Sequence, residues 1–131
     1  MKSLVVEDEL SSRLILQIFL SHYGDCHIAV SGEEAVAAFR LSLQDAAPYD
    51  LICMDIQMPG MGGIEAVRQI REIETADGVP SSNGVKILMA SAIDDPREVM
   101  RSFNALCDDY FLKPLDASKL LDKLRGMELI A

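Results

Sequence analysis

Five short apolar runs, rich in β-branched residues, alternate along this chain with longer stretches of helical period, and that alternation restricts the fold more than any other feature. The runs are Ser3–Val6, His27–Val30, Leu51–Met54, Lys86–Ala90 and Tyr110–Leu112. Strands separated by helices return parallel to one another, and a parallel sheet is covered by helices on both faces. With 131 residues, half of them hydrophobic, the chain can build one core and is too short for two ordinary domains. The expectation is an α/β protein with a single domain over residues 1–131. Only a few residues follow Leu124, so no output domain is expected.

The helical stretches carry their own boundaries. Leu14, Ile15, Ile18 and Phe19 make one apolar stripe, expected to face the core. Ala35, Val36, Phe39 and Leu43 make a second, behind the capping-box pattern Ser31-x-x-Glu34. A third helix is predicted from about Ile64 to Ile73. A fourth starts at Asp95 as N-cap with Pro96 in the first helical position, turning Val99, Phe103 and Leu106 inward. A fifth follows Asp116 and buries Leu120, Leu121 and Leu124. Between them, Thr75–Gly84 contains Asp77-Gly78, Pro80 and Asn83-Gly84 and reads as a turn-forming, mobile surface connection.

Charge and cysteine content remove several function classes. The net charge is -9 and no run of Lys or Arg offsets it, so direct nucleic-acid binding is not expected. Cys26, Cys53 and Cys107 form no C-x-x-C pair and are odd in number, which favours free, wholly or partly buried thiols over a disulfide framework or a zinc site. Neither a signal-peptide core nor an apolar run of membrane-spanning length is present. A cytoplasmic protein without a membrane partner is the reading.

In an open parallel sheet, side chains at the carboxyl ends of neighbouring strands converge on one crevice, where ligands bind. Here the first strand ends in Glu7-Asp8, the third in Asp55, the fourth in Ser91 and the fifth in Lys113-Pro114. Each residue alone has an ordinary explanation: a helix-start acid, a loop carboxylate, a solvated lysine. Independent surface residues have no reason to fall together on one edge. Crowded carboxylates repel unless a cation neutralises them, which points to an oxygen-loving divalent ion such as Mg2+, with Mn2+ as a substitute. A carboxylate can attack a phosphoryl group, while a lysine, a hydroxyl and Mg2+ stabilise the charge on its oxygens.

Four motifs then match a known family in order. Val5-Val6-Glu7-Asp8-Glu9, Met54-Asp55-Ile56-Gln57-Met58-Pro59-Gly60-Met61, Met89-Ala90-Ser91-Ala92 and Asp109-Tyr110-Phe111-Leu112-Lys113-Pro114 resemble bacterial two-component response-regulator receiver domains, from Leu4 to about Leu124. The resemblance implies a flavodoxin-like doubly wound (βα)5 fold with strand order 2-1-3-4-5. It implies Asp55 as phosphoacceptor, assisted by Lys113 and Ser91. Asp8, Asp55 and the Gln57 backbone carbonyl would bind Mg2+ directly, and Glu7 mainly through water. Ser91 and Tyr110 would form the switch: the serine turns to the phosphoryl group and the tyrosine moves inward. Lys113-Pro114 would be cis.

The same resemblance implies a signalling switch that catalyses only its own phosphorylation and dephosphorylation. The donor would be a histidine kinase or a histidine phosphotransfer protein. A downstream protein would read the face of helix four, strand five and helix five, including Arg97, Arg101, Tyr110 and Lys119, with the domain a monomer or a phosphorylation-promoted dimer. Gln57 and Ile93 would flank the path of the hydrolytic water. Two departures stand out: Gly62 replaces a usual Asp at the start of helix three, and Leu106-Cys107 replace a Gly-Ala that would favour a left-handed helix stop. The competing readings are a Mg2+-dependent phosphohydrolase, opposed by Gln57 standing where a second aspartate is needed, and an interaction module that is never phosphorylated.

Overall fold

The computed structural model describes residues 1–80, 83–114 and 116–131. Strands and helices alternate through the chain: β1 Ser3–Val6, α1 Leu10–Ser21, β2 Cys26–Ala29, α2 Gly32–Gln44, β3 Leu51–Asp55, α3 Gly63–Ala76, β4 Lys86–Ser91, α4 Pro96–Asn104, β5 Asp109–Leu112 and α5 Ala117–Gly126. All strand pairs are parallel and lie in the order β2-β1-β3-β4-β5, the flavodoxin-like arrangement expected. α3 runs past Ile73 into the segment read as a turn, whose Ser81 and Ser82 lie outside the described residues.

The two-residue period of a strand sorts the core into two layers. Leu4, Val6, Ile52, Met54, Ile87 and Met89 pack with Ala35, Val36 and Phe39 of α2 and Ala66, Val67 and Ile70 of α3. Val5, Leu51, Cys53 and Leu88 pack on the opposite face with Leu16 and Leu20 of α1 and Leu120 and Leu124 of α5. The caps fall where the sequence places them. Ser31 Oγ accepts from the Glu34 N–H, Asp95 from Arg97, and Asp116 from Ser118 and Lys119. Glu34 reaches back to the Val30 N–H at 3.3 Å, completing a box one residue wider than the usual one. α3 starts at Gly62 without a side-chain cap, as its missing aspartate implies.

Helix phase is where expectation and structure part. In α1, Leu14, Ile15 and Ile18 are 43%, 55% and 64% exposed, and the core takes Leu16 and Leu20 instead. The α1 sequence is apolar on more than one stripe, so periodicity alone leaves its rotation open. In α4 the inward residue is Ser102, followed by Ala105 at the C-cap, while Phe103 and, just past the helix, Leu106 are exposed and Val99 is half-buried. The buried Ser102 hydroxyl is satisfied by donating to the Glu98 carbonyl at 2.8 Å. In α5, Leu120 and Leu124 are buried as expected and Leu121 only half so.

Leu106 closes α4 in the left-handed region, with φ +73°. Its N–H donates to the Phe103 carbonyl and that of Cys107 to Ser102, the two bonds of a Schellman stop, here built on leucine rather than glycine. The adjoining strand entry is held by a buried ion cluster. Arg71 of α3 donates to Glu74 at 2.6 Å, to Asp108 at 2.9 Å, and to the carbonyls of Val85 and Leu106. Glu74 in turn accepts from the Val85 N–H and Asp108 from that of Ile87. Arg71 and Glu74 are 6% and 4% exposed, so the cluster joins α3, β4 and the start of β5 out of water.

Candidate functional site

The strand register brings the acids to one edge. Val6 pairs with Met54, so the next residues, Glu7 and Asp55, are neighbours across β1 and β3; Asp55 pairs with Ala90 and Ser91 with Leu112, which sets Ser91 and Lys113 one step further out. Strand alternation then divides the edge. Asp55 continues the Leu51–Cys53 row on the α1/α5 face, whereas Ser91 continues the Ile87–Met89 row on the opposite face, where Tyr110 also packs. The carboxylates and the lysine therefore share one side, and Ser91 and Tyr110 the other.

Glu7 and Asp55 are 2% and 4% exposed, and Asp8 is exposed. One carboxylate oxygen from each of the three lies within 4.8 Å of the others. Lys113 Nζ donates to Glu7 Oε2 at 2.6 Å and stands 3.3 Å from Asp55 Oδ1. That second contact is an ion pair without hydrogen-bond geometry, and Asp55 Oδ1 is left as a buried oxygen with no donor among the described residues. Burial raises the Asp55 pKa to about 6, with the Glu7 charge adding to it and Lys113 and the Gln57 backbone N–H opposing it. Burial also works against the Lys113 charge, but Glu7 and Asp55 outweigh it and hold its pKa above the usual lysine value. Gly63 lets α3 start against Asp55, because a Cβ there would lie 2.2 Å from the Asp55 carbonyl oxygen.

The donor set fits a hard divalent cation: three convergent carboxylates, one exposed to solvent and one with an oxygen lacking any donor. Glu7 is the most engaged of the three, accepting from Lys113 and from the Glu9 N–H at 3.2 Å.

On the opposite side, the sequence reading missed one residue. Glu98, on the first turn of α4, accepts from both Ser91 Oγ at 3.1 Å and Gln57 Nε2 at 2.8 Å. Ser91 Oγ also lies 3.0 Å from Gln57 Oε1 and 3.2 Å from the Ile93 carbonyl, and it accepts the Ile93 N–H at 3.0 Å. The Tyr110 hydroxyl is buried without a hydrogen-bond partner among the described residues. Burial raises its pKa, and the neighbouring Ser91 lowers it without forming a bond of good geometry. Lys113-Pro114 is cis. Burial pushes the Cys53 and Cys107 thiols to about 12 and raises Cys26, favouring the protonated thiol in each, and all three cysteines are free. No helix among the described residues is long and apolar enough to cross a membrane.

Fold and edge together define the class: a flavodoxin-like α/β domain with a carboxylate and lysine cluster at the carboxyl ends of its strands. Within that class, the chain belongs to the response regulator receiver domain family, whose pattern matches residues 3–125. It is 33% identical over 127 residues to the transcriptional regulatory protein ResD of Bacillus subtilis, covering 96% of this chain and 47% of ResD, so it spans about half the length of that relative. The receiver domain of the histidine kinase CKI1 from Arabidopsis thaliana, complexed with Mg2+ and BeF3-, superposes with a TM-score of 0.81 at 29% identity, over 98% of this chain and 90% of that one. The receiver domain of Ssk1 from Saccharomyces cerevisiae, crystallised with the histidine phosphotransfer protein Ypd1, gives a TM-score of 0.83 at 30% identity, over 97% and 88%.

Proposed function

We propose that this receiver domain takes a phosphoryl group from a phosphohistidine onto Asp55 in a Mg2+-dependent reaction, and that the modified site alters the α4–β5–α5 face for a downstream protein. The observation that carries the reading is the buried Asp55 carboxylate, with one oxygen free of donors, set between Glu7, Asp8 and Lys113. With a pKa near 6, Asp55 is mostly ionised at neutral pH and able to attack. Its oxygen forms the new bond to phosphorus as the phosphorus–nitrogen bond to the donor imidazole breaks, and the departing imidazole takes up a proton. Asp8, Asp55 and the Gln57 carbonyl would hold Mg2+, with Glu7 acting through water; the ion would neutralise charge on the transferring oxygens. Lys113, 3.3 Å from Asp55 Oδ1, would pair with one phosphoryl oxygen, and Ser91, one residue beyond the Ala90 that pairs with Asp55, would turn its hydroxyl to another.

The donor is a histidine kinase or a histidine phosphotransfer protein, and α1 offers it a surface. Leu10, Leu14, Ile15 and Ile18 expose an apolar stripe, and a small cleft lined by Ile15, Leu16, Lys113 and Pro114 joins that stripe to the acidic edge. The Ssk1 receiver, crystallised with the phosphotransfer protein Ypd1, supports a partner of that kind. A helical donor docked there would bring its histidine to Asp55 while burying the stripe. We place the domain in the cytoplasm. Phosphotransfer profiling against a panel of autophosphorylated histidine kinases and phosphotransfer proteins tests the proposal. One donor should label the wild type in seconds to minutes and leave Asp55→Asn unlabelled; equal labelling of that variant would refute Asp55 as acceptor.

A further inference from the structure

We propose that Glu98 is a positioning residue that ties Ser91 and Gln57 to α4 and so opposes the phosphorylated state, an inference that rests on Asp55 being the phosphoacceptor. Acceptors around Ser91 compete for one proton. A serine hydroxyl has a single hydrogen to donate, and Ser91 Oγ already stands within 3.2 Å of three acceptors: Gln57 Oε1, the Ile93 carbonyl and Glu98 Oε2. Of these only Glu98 is charged, which makes it the strongest competitor. A phosphoryl oxygen on Asp55 can engage Ser91 only by taking that proton from Glu98.

Gln57 is tied to the same carboxylate. Its Nε2 donates to both Glu98 oxygens, at 2.8 and 3.1 Å, so the residue two positions past Asp55 is anchored to α4 rather than free over the site. The third member is Tyr110, whose buried hydroxyl has no acceptor. Glu98 is one of three carboxylates, with Asp94 and Asp95, whose charge bears on that hydroxyl, and it is the one that loses its partners once Ser91 and Gln57 leave. The carboxylate thus exchanges partners from the site side to the β5 side, and α4 senses the change through its own first turn.

Beryllofluoride, a phosphoryl mimic, separates this inference from the reading beneath it. Its apparent dissociation constant is measured at saturating Mg2+ by calorimetry on the full chain. Loss of binding in Asp55→Asn verifies the acceptor, independently of Glu98. Glu98→Ala should tighten binding by about tenfold, the equivalent of one charge-assisted hydrogen bond. Glu98→Gln, which keeps the shape and a neutral acceptor, guards against a folding defect and should tighten it by about threefold. Removing a negative charge near an anion site also tightens binding, so each substitution is repeated in a Ser91→Ala/Gln57→Ala background, where the gain should shrink to less than about twofold. Unchanged constants in both Glu98 variants, or the same gain in both backgrounds, would overturn the proposal.

Discussion

Asp55→Asn should stabilise the metal-free protein at neutral pH. Folding lifts the Asp55 pKa from 3.8 to about 6, a difference of about 2 units, and each unit is worth about 1.36 kcal/mol. The folded state therefore binds this proton more tightly than the unfolded chain does. That contribution is fully present below pH 3.8 and is lost as pH rises through about 6; above it, the ionised carboxylate costs about 2 to 3 kcal/mol. Asparagine removes the charge and keeps the shape. It orphans no cation, because Lys113 retains its 2.6 Å bond to Glu7. Urea denaturation followed by far-ultraviolet circular dichroism, with EDTA, should show the variant about 2 to 3 kcal/mol more stable at pH 7.5 and within about 0.5 kcal/mol of wild type at pH 3.5. Mg2+ at about a hundred times its dissociation constant adds about 2.7 kcal/mol to the wild type alone, closing the gap. A variant no more stable than wild type at pH 7.5 in EDTA, or a gain that persists at pH 3.5, would refute the reasoning.

Arg71→Met should destabilise the fold by about 3 to 5 kcal/mol, because it leaves Glu74 as a buried charge without its guanidinium; adding Glu74→Leu should restore part of the loss, and denaturant midpoints read both. Leu106→Gly should raise stability by about 1 kcal/mol, since leucine at φ +73° carries a steric cost that glycine lacks and its side chain is 52% exposed; thermal unfolding checks the sign. Ile93→Glu should shorten the phosphoryl lifetime by about tenfold, well short of a fully positioned general base, by setting a polar group beside Ser91 where half-exposed isoleucine now stands. Loss of label from the purified phosphoprotein measures it, and an unchanged lifetime would count against Ile93 as a barrier to water.

The sequence was most legible where structure is set locally. Ser31, Asp95 and Asp116 announce their helices because a cap acts over three residues, and Asp55, Ser91 and Lys113 could be placed at one edge because each ends or directly follows a strand of one parallel sheet. Rotation about a helix axis was not legible. α1 is apolar on two sides, and only contact with β1 and α5 selects Leu16 and Leu20 for the core while leaving Ile15 and Ile18 in water. Arg71 stayed hidden for the related reason that, apart from Glu74 three residues on, its partners Val85, Leu106 and Asp108 are far along the chain.

Glu98 is different, because the information was present and carried two meanings. An acid three residues past an N-cap is already explained by the helix dipole, so nothing in the string demanded a further role. Yet only Ala92–Asp95 separate Ser91 from α4, and Pro96 fixes the helix start. A four-residue turn must fold the first turn of α4 back over the strand end that it follows, and within that turn Glu98 is the only residue with a carboxylate. Chain length thus supplies the second, long-range meaning: the shortness of the β4–α4 connection, more than the acid itself, is the signal that joins Ser91 to α4.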